Sequence, residues 1–161
     1  NRNMTNRPVS RSYAVGMAFV FASGFAALVL LGAGATSLLT NADEPLTFAD
    51  MIPGFGIPLT LIAGLAFAIA AIRAGLRFRG VVRLSSVLGI AATTWASGFI
   101  AEAIATLAVN KFGGGDVIFA VLAFVFQPPG WIIFGSALIA GWAYLGTLRW
   151  QYRNADTKQF A

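Results

Sequence analysis

The chain contains no cysteine and no histidine. Without cysteine there is no disulfide framework, no thiol nucleophile and no thiolate-ligated metal. Without histidine, the commonest metal ligand, the usual haem ligand and the usual general base near neutral pH are missing. Charge is scarce as well. Asp, Glu, Lys and Arg make up 11% of the residues, less than half the roughly 25% of a typical soluble domain. Gly32-Ala33-Gly34-Ala35 is no phosphate loop, because it follows no strand, lacks the lysine and sits in an apolar run. No serine or carboxylate has a base beside it. The chain is therefore read as non-enzymatic, with no catalytic, cofactor-binding or metal-binding residue expected.

What fills the chain instead is apolar. Residues of that kind make up 58% of its 161 positions and gather in four runs, 13–39, 52–72, 84–109 and 117–148. Each run reaches the roughly 20 residues that a spanning helix needs. The expected fold is an all-α integral membrane protein with one membrane domain, residues 1–161, and four transmembrane helices arranged as two antiparallel hairpins. The expected spans are 13–39, 52–74, 84–109 and 130–148. Between them lie an outer loop at 40–51, a basic inner loop at 75–83 and a second outer loop at 110–116. A short outer helix is expected at 117–126, with tails at 1–12 and 149–161.

The charges orient this plan. The formal net charge is +5, and ten of the eleven Lys and Arg residues lie in the tails and the 73–83 region. Arg2, Arg7 and Arg11 precede the first run, Arg73, Arg77, Arg79 and Arg83 follow the second, and Arg149, Arg153 and Lys158 follow the fourth. The two outer connections hold one base, Lys111, against Asp43, Glu44, Asp50 and Asp116. Short connections are where an excess of Lys and Arg marks the cytoplasmic side most dependably. Both termini are thus expected in the cytoplasm, for a multi-pass protein of a bacterial cytoplasmic membrane. Orientation in the bilayer accounts for the basic residues, so no nucleic acid is expected. Tyr13, Phe78, Trp150 and Tyr152 lie at the same boundary, where amphipathic rings prefer to sit. Arginines, an apolar run and Ala33-Gly34-Ala35 imitate a secretory signal, but the run is too long for one and is read as a retained helix. The chain begins with Asn1 rather than Met, which leaves processing or an earlier start open.

Short strings recur in order between the two halves. Ala22-Ser23-Gly24-Phe25 returns as Ala96-Ser97-Gly98-Phe99, and Pro53-Gly54-Phe55 as Pro129-Gly130-Trp131. Ile62-Ala63-Gly64-Leu65-Ala66-Phe67 is echoed by Ile139-Ala140-Gly141-Trp142-Ala143-Tyr144, and Leu76-Arg77-Phe78 by Leu148-Arg149-Trp150. The offsets are 74, 76, 77 and 72. An internal duplication into two hairpins related by an axis along the membrane normal would give this register. Chance in a composition rich in Ala, Gly and Phe would give it too, and both readings stay open.

Burying leucine cannot join helices in lipid, whereas close approach of small residues can. Small residues recur at every fourth position as Ala14, Ala18, Ala22 and Ala26 in the first helix. The third carries Ser85, Gly89, Thr93, Ser97 and Ala101, and the second carries Gly64 between Thr60 and Ala68. These faces are where a neighbour should dock, either from this chain or from another.

Two features depart from a plain apolar bundle. Glu102 is the one ionisable residue well inside an expected span, about 12 Å from its outer end at 1.5 Å per residue. Together with Thr94, Thr106 and Gln127 it forms a candidate intramembrane proton or polar-contact site, since a carboxylate at that depth must face the protein interior or a cavity, or bind a proton. A glutamate that fixes a helix contact is the preferred reading over one that exchanges protons. The second feature is Gln127-Pro128-Pro129-Gly130. Proline removes a backbone donor and clashes with the preceding turn, so the fourth helix is expected to break at Pro128-Pro129.

Three functions follow in order of preference. The first is a non-catalytic accessory subunit that packs within and stabilises a larger membrane protein complex, with other integral membrane subunits and lipid as partners. The second is a small oligomeric proton-coupled transporter or channel that uses Glu102. The third is a membrane enzyme or cofactor carrier. No cofactor of its own is expected, although contact with lipid, quinone or pigment stays open.

Overall fold

The apolar runs become helices because nothing within them competes for the backbone and almost every break signal lies at their ends. The computed structural model describes residues 9–40, 57–109, 118, 122, 124–126 and 128–157. Its four long helices are α1 (Arg11–Thr40), α2 (Ile57–Leu76), α3 (Leu84–Val109) and α4 (Pro128–Thr157). All four are long and apolar enough to cross a membrane, and no strand occurs among the described residues.

Each helix end has a local cause. Ser10 caps α1, its Oγ accepting from the Tyr13 amide at 3.2 Å, so the helix begins at Arg11. At the end of α2 the amides of Arg77 and Phe78 donate to the carbonyls of Ala74 and Gly75, which tightens the last turn. The chain then reverses through Gly80, whose φ of 83° lies in the left-handed region that favours glycine. Tyr152 of α4 sits so close that a β-carbon on Gly80 would approach its ring to 2.9 Å. The α2–α3 connection is therefore pinned to α4.

In the fourth run a long helix begins at the prolines. Ile118, Leu122 and Phe124–Phe126 are helical, and α4 starts at Pro128 rather than at the expected 130. Proline suits a first helical turn because the amides there have no intrahelical partner. Helix α4 runs on to Thr157, through part of the expected tail at 149–161. Neither Gly nor Pro follows Gly146, so nothing stops the helix where its apolar stretch ends. Its 30 residues make about 45 Å, longer than a ~30 Å hydrocarbon core. Likewise α2 continues to Leu76, past the expected end at 74, and its expected start at 52 lies outside the described residues.

The helices form a closed ring in which α1 packs on α2, α2 on α3, α3 on α4 and α4 on α1, while α2 also touches α4 across the middle. Neighbours run antiparallel. Ala14 near the start of α1 meets Tyr144 of α4, and Gly32 further along α1 meets Ile132 near the start of α4. Helix α4 is the most enclosed, with 44% of its best span buried against 22% for α1. Such a ring singles out no one pair of helices.

The interior is packed with large side chains. Phe25 of α1 stacks on Phe67 of α2 with ring centroids 5.3 Å apart, and both are fully buried. Tyr144 is fully buried as well, its ring edge-on to Phe21, and its hydroxyl donates to the Ala14 carbonyl at 3.0 Å. Gly75 of α2 makes room for that hydroxyl, because a β-carbon there would collide with it. One side chain thus joins three helices. At the other end Trp95, Phe99 and Phe124 cluster at 5.6 to 6.0 Å, and Phe124 presses its main-chain carbonyl against Gly130. Outside this core Phe19, Leu31, Leu65, Ile69, Ile104 and Trp142 are exposed, an apolar belt suited to lipid.

Candidate functional site

Folding gathers the described arginines at one end of the bundle. The starts of α1 and α3 and the ends of α2 and α4 meet there, bringing Arg11, Arg77 and Arg79 to one cleft of about 480 Å³ that is also lined by Tyr152. Phe78 packs edge-on against Tyr152 at 6.4 Å, and Gln151 Nε2 donates to the Tyr13 hydroxyl at 3.3 Å. The aromatic residues expected at one boundary therefore do share it, except that Trp150 points outward and is exposed.

A larger groove of about 850 Å³ opens on the side of the bundle between α2 and α3. Arg73 comes from the last turn of α2, and Arg77, Arg79 and Arg83 come from the connection that follows. The remaining walls are Ile69, Ala70, Ala74, Val81, Ser86, Gly89, Ile90 and Thr93, so no carboxylate among the described residues lines the groove. The sequence reading used these arginines only for orientation. The signal for their convergence was the run of four arginines within the eleven residues 73–83, which a short connection between two helices must keep close together.

The candidate polar site around Glu102 is assembled only in part. Glu102 is half-buried near the far end of α3. Thr94, two turns away, is fully buried, but its hydroxyl donates to the Ile90 carbonyl of its own helix at 2.8 Å. That hydroxyl is satisfied locally and extends no chain of polar groups towards Glu102. Gly98, between them, is closed over by Phe124 and Ile133. The Thr106 side chain and Gln127 lie outside the described residues. Among the described residues no group of three His, Cys, Asp or Glu side chains could hold a metal ion.

The small-residue faces divide into two kinds. Ala14 and Ala18 of α1 are buried and pack inside the ring, and Ala22, Ala26 and Ala101 are half-buried. Gly89 and Thr93 of α3 are exposed instead, and a β-carbon on Gly89 or on Gly64 of α2 would meet nothing within 4 Å. Thr93 donates to the Gly89 carbonyl at 2.8 Å and Ser97 to the Thr93 carbonyl at 2.9 Å. With their hydroxyls satisfied by their own helix, these residues need no burial, and the core face of α3 is formed by Val87, Ile90, Ala91 and Thr94. The close approaches that sequence reasoning missed are Gly75 to Tyr144 and Gly130 to Phe124. A glycine inside a helix, which costs about 1 kcal/mol relative to alanine, and a tyrosine within a span, which needs a partner for its hydroxyl, were the available signals. Compared with known proteins, the chain matches no family model, no curated protein and no solved structure.

Proposed function

We propose that the chain is a non-catalytic integral membrane subunit that packs within and stabilises a larger membrane protein complex. The observation that carries this reading is the outer face of α3. Ser85, Ala92 and Ala96 are all exposed there, forming a shallow surface of small side chains, beside the groove edge at Gly89 and Thr93, that no described helix covers. Helices associate in lipid through such surfaces, because backbones approach closely and van der Waals contact replaces loosely packed acyl chains. The densely filled ring interior also supports a structural role. Extraction in mild detergent followed by native mass analysis tests the reading. Co-purification at fixed stoichiometry with larger membrane subunits is expected, together with its loss in Ala96→Phe, which crowds an exposed position and leaves the core intact. Recovery of the chain only by itself would overturn it.

A second reading, a small oligomeric proton-coupled transporter or channel, draws on the half-buried place of Glu102 in a span. It becomes the stronger one if the chain purifies only as a homo-oligomer and Glu102→Gln abolishes a proton-coupled flux.

The gathering of the described arginines at one end supports an orientation with both termini in the cytoplasm of a bacterium, by the bias of Lys and Arg towards that side. The chain has no cysteine, so Ser10→Cys and Asn154→Cys each introduce a single label site. In intact cells both are expected to resist a membrane-impermeant maleimide and to react after permeabilisation. Labelling in intact cells would reverse the topology. The recurring strings support two copies of one hairpin, in which Phe67 and Tyr144, both fully buried, occupy equivalent places.

A further inference from the structure

We infer that the groove between α2 and α3 is a binding site for an anionic phospholipid, with the phosphodiester held by Arg73, Arg77, Arg79 and Arg83 and one acyl chain laid along the apolar wall beyond them. Three observations converge on this. First, four arginines from two successive segments, Arg73 in the last turn of α2 and Arg77, Arg79 and Arg83 in the connection to α3, line one groove with no carboxylate beside them among the described residues. Guanidinium presents paired donors that match two oxygens of a phosphate, and such charge-assisted bonds are about twice as strong as neutral ones. Second, Arg73 lies inside the membrane-spanning stretch Leu59–Leu76, so its charge stands at the edge of the hydrocarbon rather than in bulk water. A long side chain can reach towards the interface from there. That accounts for one arginine, but not for four meeting at a single mouth. Third, above that mouth the groove is walled by Ile69, Ala70, Gly89, Ile90 and Thr93. Gly89 leaves open space beside it, and Thr93 turns its hydroxyl back onto the helix, so the wall offers an acyl chain a channel without exposed donors.

Charge below and apolar surface above, at one end of membrane-spanning helices, is the arrangement of a phospholipid. A free phosphate would leave the apolar wall unused, and a neutral zwitterionic lipid would bring a cation among the arginines. Basic pockets between helices near the inner face are known to select anionic headgroups. The site is a property of this chain alone and does not depend on its being a subunit of anything.

The test uses the purified full chain in nanodiscs made from equal parts phosphatidylglycerol and phosphatidylcholine, with retained lipid read by native mass spectrometry. The wild type is expected to retain phosphatidylglycerol in preference to phosphatidylcholine. Arg73→Gln with Arg77→Gln should lower that retention roughly tenfold or more, since each basic side chain near an anionic surface contributes appreciably. Arg149→Gln with Arg153→Gln removes equal charge from the same end and should change it little. Equal retention of the two lipids by the wild type overturns the proposal, and that arm needs no variant to fold. So does an equal loss in both double variants, which would mean only a general attraction to anionic surface. Displacement of the lipid by millimolar inorganic phosphate would show a phosphate site without acyl recognition, and also overturns it.

Discussion

Gly75→Ala is expected to destabilise the bundle by about 3 kcal/mol, at the upper end of overpacking costs, seen as a lowered melting temperature in detergent. The added β-carbon would collide with the Tyr144 hydroxyl and stand 3.3 Å from Leu148 Cδ1. Tyr144 cannot simply swing aside, because its ring is fully buried against Phe21 and its hydroxyl is tied to the Ala14 carbonyl. Moving it breaks the hydrogen bond that joins α1 to α4. Tyr144→Phe removes only the hydroxyl and should cost about 1 kcal/mol by itself. Combined with Gly75→Ala it should cost clearly less than the sum, because the atom that collides is gone. Strict additivity of the two changes would mean that Gly75 and Tyr144 do not meet as described.

Gly130→Ala should be comparably damaging, again about 3 kcal/mol. Here the obstacle is main chain: the new β-carbon would run into the Phe124 carbonyl, with Trp95 Nε1 3.2 Å away. A backbone cannot rotate out of the way as a side-chain tip can, so the segment ending at Phe126 must lift from α4. Phe124 would then leave its contacts with Trp95 and Phe99. The measurement is tryptophan emission together with thermal melting. A shift of the emission as the Trp95 environment opens, at a lower melting temperature, is expected. An unchanged spectrum and melting point would show that the break tolerates a side chain at 130.

These two glycines also show how far the sequence could be read. The number of helices and the sharing of one end by the basic residues followed from composition and charge, because both depend only on distance along the chain. A helix start near the prolines was legible for the same reason, since proline acts on its own backbone. The contacts of Tyr144 were not legible, as its hydroxyl reaches a carbonyl 130 residues away. The small-residue ladders were legible as surfaces but not as to which neighbour they meet. Ala18 is covered inside the ring, whereas Gly89 on a similar ladder is not. Which of them turned inward was decided by larger side chains, Ile90 and Val87 filling the centre of α3's inner face, and by hydroxyls content with their own helix. Of the candidate polar site, Glu102 lay where helical spacing placed it, but the partners expected for it could not be read from spacing alone. Thr94 answers to Ile90 instead.

The Tyr144 hydrogen bond also sets an order of events during synthesis. It joins the fourth residue of α1 to a residue 130 positions later, so the ring stays open until most of the chain has left the ribosome. At 5–20 residues per second, the stretch from the end of α3 at Val109 to Tyr144 takes roughly 2–7 seconds, during which α1, α2 and α3 sit in the bilayer as an unclosed set of helices. Throughout that interval the inner faces of α1 and α3, with Phe21, Ala18 and Thr94, lie open to lipid, and to any chaperone or quality-control protease that reads unfilled helix surfaces. The arrival of α4 ends that exposure at a stroke. Truncations that lose α4 should therefore be short-lived in the cell even though three complete spans remain.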